Sequence, residues 1–154
     1  MEITLNVAEQ KLATFLARSR NKHSRAAGIK DQEVGNTGSL DIDIEGMGAE
    51  VAFCKMINVY PDTEIETTPD ADCHSTHLGG IDVKATKYRN GRLLARLSKE
   101  SHPPDSYALM IGEFPTYKFA GWIEAEKLLV SENIIDLGHG DTYGLPQDRL
   151  RSLR

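Results

Sequence analysis

The sequence predicts a mixed α/β (α+β) fold in which helices flank a central β-sheet. Three stretches carry that expectation. Asn6 and Glu9 frame a capping box, and Leu12, Phe15 and Leu16 follow at helical spacing. Gly79-Gly80 turn the chain into Ile81-Asp82-Val83-Lys84-Ala85-Thr86, where apolar and polar residues alternate as on a half-buried strand. Tyr107-Ala108-Leu109-Met110-Ile111 is apolar enough to be central in a sheet. With 154 residues, 40% of them apolar, the chain has the size and core of one ordinary domain.

Taken in order, the first helix starts at Val7, runs to about Ala27 and stops at Gly28. Its second half is basic, with Arg18, Arg20, Lys22, His23 and Arg25, and reads either as a phosphate-contacting arm or as a solvated face. Residues 28–45 are glycine-rich and polar, a loop with an extended piece at 40–44 that a ligand would order. Residues 46–60 read as a helix ended before Pro61. Residues 62–68 form a short strand broken by Pro69, and 70–76 a second strand that returns through Gly79-Gly80. After Tyr88, Asn90-Gly91 is a hairpin signal, with 92–97 as the returning strand, although Leu93, Leu94 and Leu97 also fit a helix. Residues 98–105 are a loop. Residues 106–114 and 117–123 form two strands about a Pro115-Thr116 return, and 124–130 a short helix. Residues 131–154 read as loop-rich, with a helix start at Leu145-Pro146.

One helix carries a misplaced charge. Around Glu50, a wheel of 100° per residue puts Ile57, Cys54, Met47 and Phe53 all within about 60°, with Lys55 and Gly48 opposite. An ionised carboxylate on an apolar face is unfavourable unless it is paired or binds metal. Asp72 and Asp82 fall on adjacent antiparallel strands, so Glu50, Asp72 and Asp82 converge on Lys84. Crowded carboxylates repel unless a cation joins them. Hard oxygen donors select Mg²⁺ or Mn²⁺ over zinc, and such a site activates water for attack on a phosphodiester. The nearby lysine donates to the phosphate or to the water.

Net charge is −5, yet the charges are segregated. Residues 1–30 carry six basic and two acidic side chains, 31–82 one and twelve, and 83–100 six and one. An acidic centre between basic segments suits a divalent cation held beside phosphate. No apolar run is long enough to span a bilayer. Glu2 and the lack of a basic stretch before an apolar block argue against a secretory signal. Two cysteines, Cys54 and Cys73, fit a reducing cytoplasm.

The order of a helical Glu50, then Asp72, then Asp82-Val83-Lys84 after a short turn resembles the PD-(D/E)XK nuclease superfamily. The likeness covers about residues 46–123, and the stretch 107–128 is similar to small phage and prophage nucleases of that group. It implies one nuclease-like domain over 1–154: a basic helix at 1–27, a restriction-endonuclease-like core with a mixed sheet at 46–123, and an extension at 124–154. It implies metal-dependent, endonucleolytic cleavage of DNA in phage-type metabolism, repair or recombination, in the host cytoplasm. Glu50, Asp72, Asp82 and the Val83 carbonyl would hold Mg²⁺ or Mn²⁺, and Lys84 would be the base or water-positioning group. Thr86, Lys87, Arg89 and Arg92, with Arg18, Arg20 and Arg25, would contact DNA. A homodimer would suit double-strand cutting or junction resolution. Ala71 stands where the motif has proline, and Pro69-Asp70 leaves Asp70 as a rival to Asp72. The helix usual after the Asp-x-Lys strand is missing from this reading. The alternative is a catalytically inactive member of the fold that binds nucleic acid or protein. Cys54, Cys73, His74 and His77 match no closed four-ligand zinc pattern, and Gly138-His139-Gly140-Asp141 reads as a turn.

Overall fold

The computed structural model describes residues 1–28, 38–66 and 71–153. Its strands are β1 (Glu2–Thr4), β2 (Cys73–Ser75), β3 (Gly79–Thr86), β4 (Leu93–Ala95), β5 (Ser106–Glu113), β6 (Thr116–Glu124), β7 (Ile134–Asp136) and β8 (Asp141–Leu145). Its helices are α1 (Val7–Ala26), α2 (Ser39–Ile57) and α3 (Ala125–Leu128). The main sheet runs β1-β6-β5-β3-β2, with β3 and β5 parallel and the other pairs antiparallel. A smaller sheet runs β4-β8-β7. The fold is therefore mixed α/β, with α1 and α2 on one face of the main sheet and the small sheet with α3 on the other.

The alternation along β5 explains why there are two cores. Ala108 and Met110 face α1 and α2 together with Ile81, Val83, Phe53 and Leu16. Tyr107 and Leu109 face the small sheet with Leu93, Tyr143, Leu145 and Leu128. A strand buried on both faces must be apolar throughout, as the sequence of β5 is.

The first helix starts as expected: the Asn6 side chain accepts the Glu9 N–H (3.0 Å) and the Glu9 carboxylate accepts the Asn6 N–H (2.7 Å). Four other expectations are corrected. The second helix begins at Ser39 rather than 46, because Leu40, Ile44 and Met47 continue its apolar stripe; the extended piece at 40–44 is helical. It ends at Asn58, whose left-handed backbone (φ 56°) caps it three residues ahead of Pro61. Residues 62–66 form no strand, and 67–70 lie outside the described residues, as do 29–37 of the predicted loop. The Asn90-Gly91 turn forms, but 92–97 do not return along β3. Both edges of β3 are already taken, by β2 and by β5, so β4 pairs with β8 instead. That partner lies in 131–154, which hold β7 and β8 and, at Gln147–Arg149, a 3-10 turn.

Gly48 was expected on the exposed side of its helix and is buried. A Cβ there would come within 2.7 Å of Phe114 Cδ2 and closer still to the Tyr117 hydroxyl. That hydroxyl donates to the Glu45 carbonyl (3.0 Å), so it cannot simply swing away. Gly48→Ala gains about 1 kcal/mol of helix propensity but overpacks the α2–β6 contact by about 1–3 kcal/mol. The expected result is a net loss, read as a melting temperature lower by roughly 2–4 °C per kcal/mol. An unchanged or raised melting temperature would show that the contact relaxes freely.

Candidate active site

Three acids arrive on three elements. Glu50 sits on α2 amid buried Ala49, Val51, Ala52, Phe53 and Cys54. Its side chain keeps 16% exposure, but Oε2 is sealed and has no hydrogen-bond partner. Arg20 Nη1 of α1 lies 3.5 Å from that oxygen. Asp72 immediately precedes β2, and its Oδ2 accepts the Val83 N–H at 2.7 Å across the β2–β3 pair. Asp82 lies on β3, 5% exposed. Lys84 Nζ stands 2.5 Å from its Oδ1 and Lys99 Nζ 3.2 Å from its Oδ2.

The turn that delivers β3 is built around Gly79. Its φ of +68° suits glycine, and a Cβ would collide with the Asp105 side chain. Asp105 Oδ2 is there to accept the Gly80 N–H at 2.7 Å. The turn thus holds the start of β3, two residues ahead of Asp82, against the segment leading into β5.

The electrostatics join the three acids. Burial raises the Glu50 carboxyl well above its ordinary range; the charge of Asp72 and then Asp82 add to this, while Arg20 and Lys84 oppose it. Asp72 is pushed up to about 6, first by burial and then by Asp82, against the Val83 N–H, Lys84 and Arg20. Glu50 thus responds to the charges of both aspartates, and Asp72 to that of Asp82. Tyr107, paired with Asp82 across β3 and β5, has a buried hydroxyl without a partner. Burial and then the Asp82 charge push the pKa of that hydroxyl up, so it stays protonated.

A hard divalent cation is the group the motif implies. Among the described residues no three Asp, Glu, His or Cys side chains are gathered about one point as a finished metal shell. The donor chemistry nevertheless fits. Glu50 offers a buried carboxylate oxygen with no hydrogen bond, its charge opposed by Asp72 and Asp82, and hard carboxylate donors of this kind suit a divalent cation. Val83, next to Asp82 on β3, has its N–H committed to Asp72. Asp70 lies outside the described residues. Cys73 is buried in the helix-side core with Cys54, while His74 is exposed on the other face.

The basic candidates separate. Arg20 turns inward: besides Glu50, it bonds Asp62 through its carbonyl (3.1 Å) and Oδ2 (3.2 Å), and the Glu64 carbonyl (2.9 Å). Its spacing from Ala13, Leu16 and Ala17, all buried, is the sequence signal that could have placed it there. Arg18 and Arg25 are exposed on α1. Arg18 lines a groove with Lys11, Phe15 and Phe114. Lys87, Arg89 and Arg92 are exposed beyond β3, and Thr86 is half-buried. Lys99 is a site residue that sequence reasoning missed. It belongs to the 3-10 turn Leu97–Glu100, in the segment where a core helix would stand, and no periodicity marked it.

Among the described residues no helix is long and apolar enough to cross a membrane. Comparison with family models, with curated proteins and with solved structures returns no match.

Proposed function

We propose that the protein is a Mg²⁺- or Mn²⁺-dependent deoxyribonuclease of the PD-(D/E)XK kind, acting endonucleolytically on DNA in the cytoplasm. The observation that carries this reading is the buried carboxylate of Glu50, whose sealed Oε2 has no hydrogen-bond partner and meets Arg20 at 3.5 Å, together with Asp72 bonded across the β2–β3 pair and Lys84 on the same strand as Asp82. The antiparallel β2–β3 pair and the parallel β3–β5 pair support it. Glu50, Asp72, Asp82 and the Val83 carbonyl would hold the cation. When bound, the cation polarises the phosphate and lowers the pKa of water. Lys84 Nζ then donates to the attacking water or to the phosphate oxygen on which charge builds up, and Arg20 keeps Glu50 oriented.

A catalytically inactive DNA-binding protein is the second reading. It is favoured by one observation: both oxygens of Asp82 are already occupied by lysines. Plasmid, linear and branched DNA incubated with Mg²⁺ or Mn²⁺, and with chelator, separate the two. Metal-dependent cleavage of any of them supports the nuclease; binding without cleavage of all of them overturns it.

The DNA path has a predictable part. Thr86, Ile111 and Lys118 are register neighbours across β3, β5 and β6, in the row beyond Lys84. Arg89, Asn90, Lys118 and Gln147 line a cavity of about 460 Å³ there. Gln147 Nε2 donates to the Arg89 and Gly91 carbonyls (2.9 and 2.8 Å), which fixes this rim. Changing Arg89 and Lys118 together to Glu should weaken DNA binding about tenfold or more and lower the salt slope by about one per lost phosphate contact. Fluorescence anisotropy over a salt series reads both; an unchanged slope takes this rim out of the DNA path.

A further inference from the structure

Asp82 is held by more positive charge than an ion pair needs. Lys84 and Lys99 each take one of its oxygens, and the carboxylate is only 7% exposed. The two lysines differ in origin. Lys84 comes from the rigid centre of β3, two residues from Asp82. Lys99 reaches in from the 3-10 turn between β4 and β5, and its contact is the longer of the two. Both side chains are a third exposed, but Lys99 stands outside the main sheet and can withdraw with its own turn, whereas the Lys84 backbone is fixed in β3. Glu50, by contrast, meets one guanidinium, Arg20 at 3.5 Å, and its Oε2 makes no hydrogen bond.

We infer that Lys99 is a displaceable stand-in for the cation: it holds Asp82 Oδ2 until a divalent ion takes that oxygen, and its released ammonium then contacts the substrate phosphate. The inference rests on the nuclease reading above. An ammonium and a divalent ion repel strongly at one carboxylate oxygen, so Lys99 must weaken metal binding while it stays. Once displaced, it adds a donor beside the phosphate in addition to Lys84.

The test is Mn²⁺ titration by calorimetry alongside DNA cleavage kinetics, on the wild type, Lys99→Met, Lys99→Arg and Asp82→Asn. Lys99→Met keeps the apolar stem and removes the charge. It should bind Mn²⁺ about tenfold tighter or more, yet show a kcat at saturating Mn²⁺ lowered about tenfold or more. Lys99→Arg should stay near wild type in Mn²⁺ affinity, and Asp82→Asn should lose it. A purely structural role would lower affinity and kcat together, so opposite directions are the signature. Equal or weaker Mn²⁺ binding by Lys99→Met, when the wild type binds Mn²⁺ and cleaves DNA, overturns the inference alone. A wild type that neither binds Mn²⁺ nor cleaves overturns the nuclease reading as well.

Discussion

Replacing Lys84 by Ala should lower metal-dependent DNA cleavage by about 10²–10⁴-fold, the usual range for a positioned proton-transfer group. Asp82→Asn should lose as much or more, because it removes a proposed ligand together with the partner of two lysines. Neither change should abolish folding. In Lys84→Ala, Asp82 keeps Lys99 at 3.2 Å; in Asp82→Asn, the amide keeps the shape of the carboxylate and one oxygen acceptor. Lys84→Arg separates the two roles open to the lysine. If Lys84 acts through its charge, as its ion pair with Asp82 Oδ1 suits, an arginine should retain about tenfold more activity than alanine. Equal collapse of both variants would instead mean that Lys84 must release a proton. The measurement is single-turnover cleavage at saturating metal, with DNA affinity followed separately. Undiminished cleavage by Lys84→Ala and Asp82→Asn would remove the site.

The parts of the fold that were legible are those governed by local rules. The capping box, the β3 alternation, the apolar β5 and the β6 return each express their structure within about ten residues. Glu50 was legible for a different reason: a charge on an apolar helical face needs an explanation. What failed depended on partners far along the chain. The strand at 92–97 was sought beside β3, but edge availability is a property of the whole sheet, and its partner lies about fifty residues later in β8. Leu40-Asp41-Ile42-Asp43-Ile44 alternates like a strand, yet Leu40, Ile44 and Met47 also recur at helical spacing, and packing against α1 and β3 decides between them. Within the site, the acids were read from their own positions. Lys99 was not, because a basic residue in a loop looks the same whether it faces DNA or a carboxylate seventeen residues away, and Arg20 had only its spacing from Ala13, Leu16 and Ala17 to mark it.

Glu50→Gln should abolish cleavage and at the same time raise the stability of the metal-free protein. Glu50 is held with a sealed oxygen, two acidic neighbours and a single arginine at 3.5 Å. Removing its charge does not orphan Arg20, which keeps Asp62 at 3.2 Å and two carbonyls. Relief of that burial cost should raise the melting temperature at pH 8 by a few degrees, roughly 2–4 °C per kcal/mol relieved. The sign against pH follows from the same shifts. A carboxyl whose folded pKa is raised binds its proton more tightly folded than unfolded. Folding then takes up protons, and stability rises as pH falls through the folded value toward the unfolded one. For Asp72 that window lies between about 6 and its ordinary value of 3.8, and Glu50 adds to the trend. The metal-free wild type should therefore melt higher at pH 5 than at pH 8. Glu50→Gln and Asp72→Asn should each flatten that slope. Mg²⁺ or Mn²⁺ should stabilise the wild type more at pH 8, where Asp72 is charged, than at pH 5, and Glu50→Gln least. Melting curves at pH 5, 6.5 and 8, with chelator and with Mn²⁺, test every part of this. A Glu50→Gln protein less stable than wild type in chelator at pH 8 would mean that the carboxylate is held for structure, by Arg20, rather than kept in readiness for a cation.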